Sequence, residues 1–133
     1  MITLGHVNIR TTDIERTCAF YESVLGFRRV IAATNPDPAR NVWLCDDAGM
    51  PSVHVNAFRP DEPVPQDNLS SLHHVAFNCV DPAAMAARLD AAAIPYDMAV
   101  TRVPGLVQFN LHDPNGVRVE LTFGHELVQS PPA

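Results

Sequence analysis

One stretch of this 133-residue chain reads as a second copy of another: HVNIRTTD (His6 to Asp13) aligns with HVAFNCVD (His74 to Asp81). In both, polar and apolar residues alternate and the run stops at an aspartate. Alternation marks a strand with one covered face, because successive side chains point to opposite sides. The aspartate suits a helix N-cap, where its carboxylate accepts from the free amides of the first turn. After Asp13 comes IERTCAFYESVLGF, with Ile14, Thr17, Cys18, Tyr21 and Leu25 at helical spacing and Gly26 as a stop. After Asp81 comes PAAMAARLDAAAIPY. Pro82 sits there at the first helical position, alanine favours the helix and Pro95 ends it.

Three strand segments follow each helix. In the first half they are Arg28 to Thr34, Asn41 to Asp46 and Ser52 to Phe58, the last two joined by the turn-rich DDAGMP. In the second they are Asp97 to Arg102, Leu106 to Leu111 and Val117 to Phe123, the last two joined by HDPNG, whose Asn115-Gly116 is a hairpin signal. Each half is therefore βαβββ. The expected fold is α+β: two such modules forming a curved, partly open mixed-sheet groove, with the helices outside. Residues 1–58 make the first module, 59–71 a linker rich in proline and acid, 72–128 the second module and 129–133 a frayed tail, all within one domain.

The polar phase of four strands carries metal-ligand types. In LGHVNIR, SVHVNAF, LHHVAFN and VRVELTF, one face holds His6, His54, His74 and Glu120 in turn, and the apolar residues hold the other. The repeat makes His74 the counterpart of His6, and Glu120 the counterpart of His54. Two modules related by an approximate two-fold would bring these first-strand and last-strand pairs around one point. Asn8, Arg10, Asn56, Asn78, Gln108, Asn110, Arg118 and Thr122 share this phase and are candidates to touch a substrate. His73 has the wrong phase for the cavity and reads as structural or as part of the linker junction, while His112 and His125 read as surface residues. Trp43 has the phase of Cys45 and either lines the groove or packs beneath it.

A formal charge of −6 argues against nucleic acid or an anionic membrane as partner. No apolar run reaches the ~20 residues of a membrane span, and the strand-like N-terminus lacks the basic start of a signal peptide. Cys18, Cys45 and Cys79 are far apart with no CxxC, and read as free thiols of a reducing cytoplasm.

GHVNIR, FYESVLGF, HHVAF and DPNGVRVEL together resemble the vicinal oxygen chelate superfamily, which holds glyoxalases, methylmalonyl-CoA epimerases, fosfomycin-resistance enzymes, bleomycin-resistance proteins and extradiol dioxygenases. The resemblance covers nearly the whole chain. It implies metal ligands at His6, His74 and Glu120, and a substrate chelated through two adjacent oxygens. His54 occupies a position where glyoxalase- and epimerase-like members carry a fourth ligand, Glu or Gln. Two-domain extradiol dioxygenases carry a proton-transferring histidine there. Those dioxygenases also place a tyrosine on the preceding strand, where this chain has Gln108 and Asn110.

Three readings follow from the resemblance. A dioxygenase-like enzyme would use Fe(II), with His54 taking and returning a hydroxyl proton. A glyoxalase- or epimerase-like lyase or isomerase would use Zn, Ni, Co or Mn to polarise a carbonyl. There His54 could be a ligand and Glu120 the base. A bleomycin-resistance-type protein would bind a small molecule without catalysis. The dioxygenase-like reading is placed first, on His54, with one divalent metal per site. The resemblance further implies a homodimer, with each site built within one chain or shared between two.

Overall fold

The computed structural model describes residues 4–31, 36–65 and 72–128, and the chain divides into two compact units, Met1–Gln66 and Asp67–Ala133. The first carries β1 (Val7–Thr11), α1 (Ile14–Leu25), β2 (Arg28–Ile31), β3 (Asn41–Cys45) and β4 (Pro51–Ala57). The second carries β5 (Val75–Cys79), α2 (Pro82–Ala91), β6 (Asp97–Val100), β7 (Val107–His112) and β8 (Arg118–Phe123), followed by a short 3-10 turn at His125–Leu127. Each unit is thus βαβββ, as its sequence implies. The sheets match too, β1-β4-β3-β2 in one and β5-β8-β7-β6 in the other. In each, the first strand runs parallel to the last, and the remaining pairs are antiparallel.

The helices begin where the aspartates place them. Asp13 accepts from the Arg16 amide at 2.9 Å, and Asp81 accepts from the Ala84 amide at 3.0 Å. Gly26, at φ 70°, closes α1 with its amide on Glu22 O, while the Phe27 amide reaches back to Tyr21 O. Helix α2 ends earlier than Pro95. Proline disfavours helical backbone at Ile94, and the chain leaves through Ala93 at φ 54°.

Several strand ends differ from expectation because side chains take over the backbone's hydrogen bonds. Strand β3 stops at Cys45, since the Asp46 carboxylate accepts from the Met50 amide and the Ser52 hydroxyl and starts the turn. Strand β6 stops at Val100, where the Thr101 hydroxyl accepts from the Val103 amide. The β7–β8 connection closes as a three-residue loop. Asp113 takes the Asn115 and Val117 amides on one oxygen, and only Gly116 has positive φ. Of the segment Arg28 to Thr34, residues 32–34 lie outside the described residues, as do 66–71 of the linker and the whole 129–133 tail.

The alternation sorts each sheet as expected. Val53 and Val55 of β4 are wholly buried, and α1 packs against β2, β3 and β4 with Ile14, Cys18, Tyr21 and Val24 buried. In the second unit Phe109, Leu111, Val119 and Leu121 of the sheet are buried, as are Met85 and Leu89 of α2. The opposite phase is left to His54 and Asn56, and to Glu120 and Thr122.

Candidate functional site

The parallel pairing of first and last strands puts the ligand types side by side within each unit. Asn8 pairs with His54 and Ala76 with Glu120, so His6 and His74 lie just ahead of these pairs. The antiparallel neighbour adds a third residue. Trp43 pairs with His54, and Asn110 with Glu120.

In the first unit the His6 and His54 rings are 5.8 Å apart, centre to centre. Trp43 stacks flat on His54, with centres 4.0 Å apart and planes 6° from parallel, and meets His6 edge-on at 4.6 Å. Trp43 therefore lies on the polar face and does not pack beneath it. A chain of amides fixes the His54 tautomer. Asn8 Nδ2 donates to the His54 carbonyl at 3.2 Å and to Asn56 Oδ1. Asn56 Nδ2 is then free to donate to Asn41 Oδ1, at 2.9 Å. Asn41 Oδ1, an acceptor only, also faces His54 Nε2, which must carry the hydrogen. The lone pair of His54 is left on Nδ1. Burial, and secondarily the neighbouring His6, hold the His54 pKa below the ordinary histidine value, so the ring stays neutral.

Arg10 is tied up on this face. Its guanidinium forms a two-pronged ion pair with Glu62 and lies over the Phe58 ring at 4.6 Å. That pairing holds the Glu62 carboxyl at about 2, well below the usual carboxylate range.

In the second unit His74 Nε2 lies 3.6 Å from Glu120 Oε2, with the two side chains 38% and 15% exposed. Glu120 Oε1 accepts from Gln108 Nε2 and from the Thr122 hydroxyl, each at 2.9 Å. One carboxylate oxygen is saturated and the other is presented to His74. Two ligands about 2.1 Å from an ion at a tetrahedral angle lie about 3.4 Å apart. The His74–Glu120 pair therefore fits one edge of a metal's coordination shell. Among the described residues no group of three or more His, Cys, Asp or Glu side chains is gathered closely enough to hold a metal ion. The four ligand types come together as two pairs, His6 with His54 and His74 with Glu120.

The remaining candidates fall into place around these pairs. Gln108 and Thr122 serve Glu120, and Asn8 and Asn56 serve His54. Asn110 pairs in register with Glu120, and Asn78 is exposed on β5. Arg118 NH1 lies 3.5 Å from His73 Nε2, whose Nδ1 is 2.9 Å from His74 Nδ1. His112 is exposed, and His125 sits beside Glu126 at 3.6 Å. Two partners lay beyond the sequence reading. Asn41 is not a ligand type, yet phase counting along NVWLC puts it with Trp43 on the polar face. His73 has the other phase, but it lies ahead of β5, where alternation no longer governs direction.

The Glyoxalase/Bleomycin resistance protein/Dioxygenase superfamily model matches residues 3–121. The chain belongs to this superfamily. A curated relative, "Glyoxylase I 4" of Arabidopsis thaliana, is 24% identical over 127 residues, covering 91% of this chain and 70% of the relative. Among solved structures, lactoylglutathione lyase from Agrobacterium tumefaciens has a TM-score of 0.66 at 22% identity, with 96% of this chain and 97% of that one covered. A variant of the fosfomycin resistance protein FosX from Listeria monocytogenes has a TM-score of 0.65 at 15% identity, covering 91% of this chain and 90% of that one. That variant was solved with Mn(II) and 1S,2S-dihydroxypropylphosphonic acid. The two βαβββ units are the superfamily's fold, and no described helix is long and apolar enough to cross a membrane.

Proposed function

We propose that this superfamily member is a metal-dependent enzyme that moves a proton on a small oxygenated substrate held through two adjacent oxygens. In this reading His6, His74 and Glu120 are the metal ligands and His54 is the acid–base group. The observation that carries it is the state of His54: neutral, locked by Asn41 at Nε2, with a lone pair left on Nδ1. A base needs such a lone pair, and a fixed tautomer keeps it aimed. Glu120, which resemblance to the isomerases allows as an alternative base, is better suited to stay a ligand. Its Oε1 already accepts two hydrogen bonds, which steady Oε2 for the ion. When bound, a divalent ion polarises the substrate oxygens and acidifies the neighbouring hydrogen.

Glyoxalase- or epimerase-like proton transfer is placed ahead of dioxygenase-like ring cleavage, the reverse of the order drawn from His54 alone. The tyrosine that the dioxygenase pattern requires is replaced by Gln108, which serves Glu120, and by Asn110. The names of the Arabidopsis and Agrobacterium proteins point the same way. Proton transfer needs no change of oxidation state at the ion, so Zn, Ni, Co or Mn replaces Fe(II) as the favoured metal, and the Mn(II) in FosX supports that choice. Asn78 and Asn110 are the polar side chains we assign to the substrate, because Asn8, Asn56, Gln108 and Arg118 already serve other residues. We further propose a cytoplasmic homodimer.

The test is protein loaded in parallel with Zn, Ni, Co or Mn, and anaerobically with Fe(II), then given a hemithioacetal and a panel of catechols. The reading expects oxygen-independent turnover of the hemithioacetal class, reduced about 10²–10⁴-fold by His54→Gln with the metal retained. Oxygen uptake with a catechol on the Fe(II) protein would establish the dioxygenase-like reading instead. Failure to bind any metal would favour the ligand-binding, non-catalytic alternative.

A further inference from the structure

Three residues lead into the candidate metal edge in one direction. The Arg118 guanidinium has no acceptor, so at 3.5 Å it can only donate to His73 Nε2. A neutral imidazole has one N–H, and with Nε2 accepting, that hydrogen sits on His73 Nδ1. His73 Nδ1 is 2.9 Å from His74 Nδ1, which must therefore accept. His74 in turn carries its hydrogen on Nε2, the nitrogen that faces Glu120 Oε2 across 3.6 Å, beyond hydrogen-bond distance. The other Glu120 oxygen is filled by Gln108 and Thr122. The order is set by the donor-only guanidinium and passes through both imidazoles, each with one hydrogen and one lone pair assigned.

That order is incompatible with metal at His74 Nε2. A ligand nitrogen gives its lone pair to the ion, so Nε2 must lose its hydrogen and the ring must carry one on Nδ1. His74 Nδ1 then donates to His73 Nδ1. His73 moves its own hydrogen to Nε2, where it meets the N–H of Arg118 and the two donors repel. Each ring ends with one hydrogen, as it began.

We infer that His73 and Arg118 hold His74 in its metal-excluding tautomer, so that loading the ion reverses the hydrogen-bond chain and expels Arg118 from His73. The inference rests on the reading of His74 as a ligand. His73 is a positioning residue here, acting through His74. It opposes the ion while Arg118 donates to it, and supports the ion once its Nδ1 accepts.

Two measurements on the full chain test this. Two-bond ¹H–¹⁵N correlation of the imidazoles reads the tautomers directly, without any variant. The metal-free protein should show His73 protonated at Nδ1 and His74 at Nε2, and Zn(II) should exchange both. Zn(II) affinity is then measured by competition with a chromophoric chelator. Arg118→Met should bind about tenfold tighter and His73→Phe about tenfold weaker, while His73→Gln, whose amide oxygen accepts from His74 Nδ1, should restore binding. In the His73→Phe background the gain from Arg118→Met should shrink below about twofold, because the coupling runs through His73. An equal gain in both backgrounds would mean a simple charge effect and would overturn the inference. So would Zn(II) binding that leaves the two tautomers unchanged, although the metal reading would survive both results. No Zn(II) binding at all would overturn the metal reading and this inference together.

Discussion

Asn41 Oδ1 receives hydrogen bonds from both Asn56 and His54, and that one oxygen decides which His54 nitrogen is free. Asn41 is buried, so Asn41→Ala leaves its donors unmatched and should cost about 1–3 kcal/mol in urea unfolding. On the account above it should also lower kcat with the metal content unchanged, because His54 loses its fixed tautomer. A loss of metal together with activity would count against the base assignment. The depressed pKa of His54 adds a pH signature in the metal-free protein. As pH falls below about 6.5, the unfolded chain takes the proton before the folded one does, so this residue's share of stability is present above that pH and is lost below it. His54→Gln should flatten the acid-side fall in unfolding free energy that begins below about pH 6.5. The ligand types were legible in the sequence because His and Glu stand out on an alternating strand. Asn41 and His73 were not, since an amide or a histidine gains meaning only from the atom it touches.

Across the elements, both units place polar side chains at the same two positions beside their last-strand ligand type, with Gln108 and Thr122 bonding Glu120 directly and Asn56 reaching His54 through Asn41. Asn56 and Asn41 stand to His54 as Thr122 and Gln108 stand to Glu120, two residues along the same strand and across the ladder. The scheme depends on register, and a one-residue slip of β4 or β8 would turn the polar set into the core. The end of β8 is pinned by a close approach. A Cβ on Gly124 would lie 2.5 Å from the Gly105 carbonyl oxygen, and its φ is 82°. Gly116 has a similar φ, but nothing lies within 4 Å of a Cβ placed there. Gly124→Ala should therefore lower the melting temperature clearly more than Gly116→Ala, where backbone strain of about 1 kcal/mol acts alone. Equal losses would show that the Gly105 contact is easily relieved. On the first unit, the Arg10–Glu62 pair should lose its contribution to stability as pH falls from about 4.5 toward 2, and Arg10→Met should remove that dependence. Element types and order were readable because alternation, N-capping aspartates and glycine stops agree with one another. Strand ends were less so, because Asp46, Thr101 and Asp113 redirect the backbone with side-chain hydrogen bonds that composition does not reveal.

For the whole molecule, duplication is the organising fact, and superfamily membership follows from it together with the match over residues 3–121. Each unit presents half of a ligand set, His6 beside His54 and His74 beside Glu120. The proposed ligand set is His6, His74 and Glu120, with His54 left for the proton. If the protein is the dimer we propose, sedimentation should give twice the chain mass, and metal should track chains one to one. Everything proposed for the site depends on the ligand set itself. Its most direct test is metal stoichiometry and affinity in untagged protein, compared with His6→Ala, His74→Ala, Glu120→Ala and His54→Ala. The protein should hold one divalent ion per chain, weakened more than about a hundredfold by each of the first three substitutions and kept by the fourth. Binding that survives His6→Ala undiminished, or that is lost with His54→Ala alone, would contradict that ligand set.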